Sequence, residues 1–441
     1  MSAVWAEDSK ILSSKLFKDF FSYSTTDSRI YFSISRTTPW ANDAVPPQAN
    51  TSVDGLEDAW REMMGAKLLT GNDISHVVPR HDWRANTVFN AYSNKHTALL
   101  DANNAFYIVT STFNVYKCIS NNRGSISVIQ PTQTTVSPVE EADGYVWKYM
   151  YSISASEQLR FTTPKHMSVK TLSQDNNSLQ WNTQEHAIPG GIHAINVLAS
   201  GNNYSNVANI TLTISGDGRL ATAVARINVA SKMISNVAMT NPGTGYSFAT
   251  VKVADAGLGT GAVLEAVISP PGGHGSDPIG ELGGSYLMFN PRIYPSDQFA
   301  PEATNEYRQI AIIQDPVEKI GMVPAQNGNY FQYIKLIVNS GTSAFLRDEI
   351  VYQGQALDTA KFSGRVAAWD QANNMLKIVN CVGSPSIDVI YGATSITIRY
   401  VESITDQQLV PFLGKVWYVN NSMPITRSDD QIDDFKLVLK F

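Results

Sequence analysis

The chain has 441 residues, enough for a sizeable core and, at roughly 150 residues per domain, for about three folding units. Lys and Arg number 33 against 39 Asp and Glu, a formal charge of -6 with no basic run, which argues against a generic polyphosphate or nucleic-acid binder. Charged residues are only 16% of the chain, below the roughly 25% of an average soluble protein, while aromatics reach 10%. That balance fits a surface covered by protein partners, because interface cores are poor in Lys, Glu and Asp and rich in aromatic side chains.

Residues 7 to 23 set Leu12, Leu16 and Phe20 four apart, with Phe17 and Phe21 beside them, which predicts a helix docking one apolar stripe on a sheet. Arg29 to Ser35 turns Ile30, Phe32 and Ile34 inward between more polar neighbours, the pattern of a half-buried strand, and ends at Thr37-Thr38-Pro39-Trp40. Asp54 with Glu57 three residues later resembles a capping box; the helix it opens takes Trp60, Met63, Met64 and Leu68 as its buried face and closes near Gly71. Ala105 to Ile119 and Tyr145 to Ile153 read as strands, the second with Tyr145, Trp147, Tyr149, Tyr151 and Ile153 on one face. Most of the remainder is short β-type runs divided by Gly, Pro, Asn and Ser, so the fold class is mainly β with a few helices (α+β).

An internal repeat lies between Ile192 and Ile268. Ile192, Ile195, Val197, Gly201, Tyr204 and Ser205 recur 42 residues later as Ile234, Val237, Met239, Gly243, Tyr246 and Ser247. After a one-residue gap, Leu212, Gly216, Gly218, Ala221, Ala225 and Ile227 recur as Val253, Gly257, Gly259, Ala262, Ala266 and Ile268. Each copy reads strand, Gly-x-x-Tyr turn, strand, Gly-rich turn, strand; neither can bury its apolar face alone, so the two are expected to pack as one small domain. Its flanks, Pro189-Gly190-Gly191 and Pro270-Pro271-Gly272-Gly273, read as hinges. From about Asn329 to Val401, alternation in Ile334, Leu336 and Val338 and four further short apolar runs suggest a small antiparallel barrel or sandwich.

Chemical motifs are sparse. There is no GxxxxGK[ST], no GxSxG and no HExxH, and Gly257-Leu258-Gly259-Thr260-Gly261 lacks the context of a dinucleotide site and reads as a turn. His76, His81 and Asp82 are the nearest thing to a ligand cluster, but Pro79 forbids a regular helix through both histidines, and a loop pairing Arg80 with Asp82 is expected instead. His274 and Asp277 sit in a Gly-rich stretch that shapes tight turns. Asp429, Asp430, Asp433 and Asp434 lack the EF-hand pattern and read as a solvated turn before the last strand. No catalytic, cofactor-binding or metal-binding residue is assigned. Cys118 and Cys381 are too far apart in sequence to form a CxxC pair and are expected to be buried, reduced thiols. Glu7 and Asp8 stand where a signal peptide needs an apolar core and no stretch of about 18 apolar residues exists, so an intracellular, soluble protein without membrane or nucleic-acid partners is expected.

Four separated segments together resemble one family. They are Arg36-Thr37-Thr38-Pro39-Trp40; Asp58-Ala59-Trp60-Arg61-Glu62-Met63-Met64-Gly65 leading to Val77-Val78-Pro79-Arg80-His81-Asp82-Trp83; Asp143-Gly144-Tyr145-Val146-Trp147-Lys148-Tyr149; and Tyr307-Arg308-Gln309-Ile310-Ala311-Ile312-Ile313, with a related tail at Asn420 to Phe441. In this order they resemble the wedge subunit of contractile-tailed bacteriophage baseplates. The resemblance implies a layered β-sandwich core, a homodimer, no catalysis, and contacts to other baseplate wedge proteins in a virion tail assembled in the host cytoplasm. Arg36, Pro39, Trp40, Trp60, Met63, Met64, Gly65, Pro79, Arg80, Asp82, Trp83, Gly144, Tyr145, Trp147 and Arg308 become structural or interface candidates. The resemblance covers about 1 to 165, 280 to 325 and 405 to 441. The expected organisation is therefore a core over 1–188, 274–328 and 403–441, its helices at the N-terminus and at 55–70, interrupted by inserted β domains at 189–273 and 329–402. The alternative is a tail-associated glycan-binding module or depolymerase, since repeated β units with Tyr and Gly turns can stack sugars; its acid pair would have to come from residues such as Glu140 and Glu141.

Overall fold

The computed structural model describes residues 6–22, 28–204, 208–253, 259–297, 299, 306–426 and 430–441. The fold is mainly β, with five α-helices among the described residues. Two compact units are formed, one from Met1–Phe17, Ser75–Phe289 and Leu437–Phe441, the other from Lys18–Ile74 and Asn290–Lys436.

In the first unit the central sheet has the order Tyr107–Val109, Asn114–Asn121, Tyr145–Ser152, Val139–Glu140. The expected strand Ala105 to Ile119 is thus a hairpin, turned at Phe113, whose positive φ of 59° the sequence pattern hid. The aromatic strand does not keep one face either. Val115 lies opposite Tyr151 but Tyr116 opposite Tyr149, so Met150 is an extra residue in a β-bulge. Tyr145, Trp147 and Tyr149 consequently join Phe89, Tyr116 and Cys118, while Met150, Tyr151 and Ile153 join a second cluster with Phe106 and Val109. A further sheet orders Leu437–Lys440, Tyr286–Phe289, Ile74–Pro79 and His166–Ser168.

Helix Glu7–Ser22 forms where expected but buries a different line of residues. Ile11 and Ser14 are buried, and Phe17 meets Phe289 and Phe441, whereas Leu12 and Leu16 are exposed. Small Ser14 permits close approach, its hydroxyl donating to the Gly284 carbonyl at 3.0 Å.

The duplicated segment forms six strands, Ile192–Asn202, Asn209–Gly216, Arg219–Asn228, Met233–Thr244, Ala249–Val253 and Thr260–Ile268. Ser205 and Gly257 lie outside the described residues. The copies are interlaced: the first strand of each pairs antiparallel with the last strand of the other, Ile192–Asn202 with Thr260–Ile268 and Met233–Thr244 with Arg219–Asn228. The two ladders share one register. Ala223↔Met239 and Ala225↔Val237 in one become Leu264↔Val197 and Ala266↔Ile195 in the other, and both bulges recur at equivalent places. Leu212 stands opposite Val253, its own counterpart in the other copy, so the pseudo-twofold axis passes between them. One core results, with Ile195, Tyr204, Leu212, Ala225, Ile234 and Tyr246 among its members.

In the second unit, five antiparallel strands are ordered Asn329–Phe331, Met63–Leu68, Ile30–Ser35, Glu306–Gln314, Lys415–Thr426. Ile30–Ser35 is central and all six of its residues are buried, so it is not the half-buried strand that its alternation suggests; Ser33 and Ser35 donate their hydroxyls to the Ala311 carbonyl and the Gln309 side chain. The expected helix to Gly71 is shorter. It spans Val53–Arg61, is capped by Ser52 rather than Asp54, with the Ser52 side chain accepting from the Gly55 N–H, and Met63, Met64 and Leu68 belong to the next strand. The six strands Ile334–Val338, Met375–Gly383, Phe362–Asp370, Ile350–Gln353, Val389–Gly392 and Ile398–Thr405 close a barrel around Leu336, Val351, Phe362, Leu376 and Val401.

Candidate functional site

The motif residues do not converge on one site. They form two clusters, one in each unit.

In the second unit, Arg36, Trp40, Glu62 and Arg308 knit three of the segments together. Arg36 has a left-handed backbone (φ 62°), and its guanidinium lies 3.8 Å from the centre of the Trp40 ring, a cation–π contact. The Arg36 N–H donates to the Glu62 carbonyl at 3.1 Å, and the Thr38 hydroxyl donates to the Glu62 carboxylate at 3.3 Å. Burial raises the pKa of Glu62, and Arg36 opposes that shift. Arg308 is almost fully buried; it donates to both Asp43 oxygens at 2.9 and 2.7 Å, to Glu306 at 2.7 Å and to the Thr37 carbonyl at 2.7 Å. That hydrogen bonding holds the Asp43 carboxyl below its usual range. Strand Lys415–Thr426 bulges between Asn421 and Ile425, and the Trp40 indole N–H caps the Ser422 carbonyl there at 2.9 Å. Pro39 is exposed beside it. Trp60 and Met63 are core, Met64 is buried, and Gly65 is required because a Cβ would run into Phe299 and the Tyr330 carbonyl.

In the first unit, the expected Arg80–Asp82 pair forms at 2.8 Å, and the Pro79 carbonyl accepts from the Tyr107 hydroxyl at 2.9 Å. Trp83 donates its indole N–H to the Ser127 hydroxyl at 3.2 Å, and Ser127 donates to Asp143 at 3.2 Å. Asp143 also accepts from the N–H groups of Val128, Ile129 and Tyr145, which fixes the turn at Gly144 (φ 81°) from which the aromatic strand starts. Tyr145 then stacks on Trp147 at 5.5 Å.

The remaining sequence candidates are scattered. His76 Nδ1 lies 3.1 Å from the Gly284 carbonyl, whereas His81 packs edge-on to Tyr107 and has its pKa lowered by burial. Asp277 accepts from Thr171 and Lys15, and these hydrogen bonds hold its pKa down against burial. The acidic run is a solvated turn only in part: Asp430 is an exposed turn residue, but Asp433 is buried and accepts from the Tyr307 hydroxyl at 3.0 Å, and Asp433–Asp434 pairs with Arg292–Ile293 as a short strand. Asp429 and the first two residues of Gly257–Gly261 lie outside the described residues. Cys118 and Cys381 are unbridged, their thiols pushed up by burial, that of Cys381 to about 12. Among the described residues no group of three or more His, Cys, Asp or Glu could hold a metal, and no helix is long and apolar enough to cross a membrane.

One polar cluster escaped sequence reasoning. Lys117 and Glu281 form an ion pair of 2.8 Å, both side chains buried, with His274 Nδ1 3.9 Å from the same carboxylate. Lys148 and His193 lie in the same region. The available signal was a lysine at the centre of each of two aromatic strands, Val115-Tyr116-Lys117-Cys118 and Trp147-Lys148-Tyr149.

These clusters define a class: a β-rich scaffold whose marked residues hold turns, bulges and strand ends in place. Sequence comparison gives that class a relative. Residues 14–124 match the family described as Bacteriophage T4, Gp8. The chain is also 24% identical over 174 residues to the baseplate wedge protein gp8 of Enterobacteria phage T4, a match covering 32% of this chain and 52% of that protein. It therefore spans about half the length of the curated relative it matches. The chain resembles the baseplate wedge subunits of contractile-tailed phages, and the family match contains the Arg36–Trp40, Asp58–Gly65 and Val77–Trp83 segments.

Proposed function

We propose that the protein is a non-catalytic structural subunit of a phage tail baseplate wedge. It acts as a homodimer through contacts with other wedge proteins, is assembled in the host cytoplasm, and serves host attachment and tail contraction through those contacts. The match over residues 14–124 carries this reading, because it spans three of the segments that brace the two clusters. Exposed apolar side chains support it: Ile320, Met322 and Val323 in one turn, and Tyr418 and Met423 on the edge strand Lys415–Thr426. Quantitative mass spectrometry of purified tails tests it. A fixed stoichiometry with other wedge proteins is expected, and absence from intact tails overturns the reading. Sedimentation of the isolated protein tests the dimer, which a monomer at high micromolar concentration would contradict.

A further inference from the structure

A cavity of about 700 Å³ opens in the first unit between the central sheet and the duplicated β segment. Its rim carries exposed Arg123, Glu140 and His186, and its floor carries buried Lys148 and His274. The floor is unbalanced in charge. Lys117 is paired with Glu281, whereas Lys148 lies within ion-pair distance of no carboxylate among the described residues, feels Glu281 only at longer range and donates to the Val136 carbonyl, and burial lowers its pKa to about 8. Two buried cations that share one carboxylate are costly. His274 is 2% exposed, packs edge-on to Tyr92 at 4.7 Å and to His193 at 5.4 Å, and neither of its ring nitrogens has a hydrogen-bond partner. Buried polar groups are seldom left so. The Asn236 amide oxygen, on the wall formed by the duplicated segment, likewise lacks a donor.

We propose that this cavity is a binding site for a small hydroxylated oxyanion, an acidic sugar or a sugar phosphate, with Lys148 as counter-ion, the His274 and His193 rings as hydrogen-bond donors, and Asn236 accepting from a ligand hydroxyl. Its volume suits one or two such rings. Arg123 and Arg226 do not compete for the buried position: Arg226 is paired with Glu140 at the rim and Arg123 donates to Ser200. Burial and the neighbouring lysines keep both imidazoles neutral, with His193 lowered to about 4, so each still offers one N–H.

Isothermal titration of the full chain with glucuronate, glycerol phosphate and inorganic phosphate, with glucose as uncharged control, tests the site. Saturable binding of at least one anion is expected, weakened about tenfold or more by Lys148→Met and absent for glucose. Preference for glucuronate or for the phosphates identifies the carboxylate or phosphate source. Binding that survives Lys148→Met unchanged, or no saturable binding of any of the three, overturns the proposal. Should Lys148→Met not fold, the histidine ring resonances of the unaltered protein decide: those of His193 and His274 must shift with the anions and stay fixed in matched chloride.

Discussion

The ring of Tyr246 lies directly over Gly218, so that a Cβ added at Gly218 would come within 3.0 Å of two ring carbons. The other half of the duplication repeats the arrangement: Tyr204 lies over Gly259. Each tyrosine therefore roofs a glycine of the opposite copy, which accounts for the recurrence of Gly and Tyr in both copies and makes the packing of each copy depend on the other. Gly218→Ala should lose about 1–3 kcal/mol through overpacking. Moving the same methyl to Gly245, where nothing lies within 4 Å but φ is 77°, should cost only backbone strain. Urea unfolding of the two variants compares them; equal losses would show that the Tyr–Gly stacking contributes nothing.

Burial makes Lys117 and Glu281 dependent on one another. Glu281 also accepts the Gly275 N–H at 2.7 Å and the Asp277 N–H at 3.3 Å, so it anchors the turn beneath the cavity. Truncating one partner of a buried ion pair typically costs about 3–5 kcal/mol, whereas an apolar replacement of both can be neutral. Lys117→Met should therefore be strongly destabilising, and adding Glu281→Leu should recover part of the loss but not all, because the two backbone donors stay unpaired. Melting temperatures of Lys117→Met, Glu281→Leu and the double variant test this; additive losses would refute the coupling.

What the sequence made legible depended on how local the cause was. The Tyr–Gly spacing could be read because tight turns demand those residues at fixed offsets. Met63 and Met64 are misplaced on the helix by the sequence pattern, because an apolar pair after Trp60 satisfies a helical and a strand pattern alike, and only pairing with Ile30–Ser35 makes Met63–Leu68 a strand. Helix Glu7–Ser22 was legible as a helix but not in orientation, since the choice between the Leu12–Leu16 line and the Ile11–Ser14 line was made by Gly284, distant in the chain. The Lys117–Glu281 pair was hidden for the same reason. Arg80–Asp82, two residues apart, was not.

Acid should destabilise the first unit through its buried histidines. Burial, then Lys148 and Lys117, lower the pKa of His193 from 6.5 to about 4, and burial, then Lys117, His193 and Lys148, hold that of His274 well below its usual value. Above pH 6.5 both imidazoles are neutral whether the chain is folded or not, and their full contribution is present. As pH falls from 6.5 towards 4 the unfolded chain takes up a proton at His193 that the folded chain refuses, so stability declines by about 1.4 kcal/mol per pH unit from His193, and His274 acts in the same direction. Below about 4 the His193 contribution levels off. Urea unfolding in phosphate-free buffer at about pH 7, 6 and 5 should show this slope, and His193→Gln should reduce it by about one proton. An unchanged slope in His193→Gln would mean that His193 titrates normally in the folded chain.

The duplicated segment should be removable. Its two ends meet: the Ser269 N–H donates to the Gly191 carbonyl at 2.9 Å, and the Gly191 N–H donates to the Ser269 hydroxyl at 3.1 Å. The flanking Gly and Pro residues are thus tied together rather than free hinges. A short Gly-Ser linker in place of residues 192–268 needs to span only that gap, and closure entropy changes slowly with loop length. The segment's own core is filled by its own strands, while Phe89, Tyr116, Cys118 and Trp147 pack without it. Several links would be lost, among them hydrogen bonds from Arg123 to Ser200, from the Ile268 N–H to Asn94 and from the Gly245 and Tyr246 N–H groups to the Pro189 and Gly190 carbonyls. Ala194 and Val267 belong to the core cluster around Phe106 and Tyr151, and Arg226–Glu140 and Lys95–Glu265 are partly exposed ion pairs worth about 0–1 kcal/mol each. The shortened protein should therefore unfold cooperatively at a lower temperature than the full chain, and it should lose anion binding because His193 and Asn236 are gone. Circular dichroism and calorimetry of the deletion variant test this. Insoluble or molten protein would show that Ala194 and Val267 make the segment an integral part of the first unit.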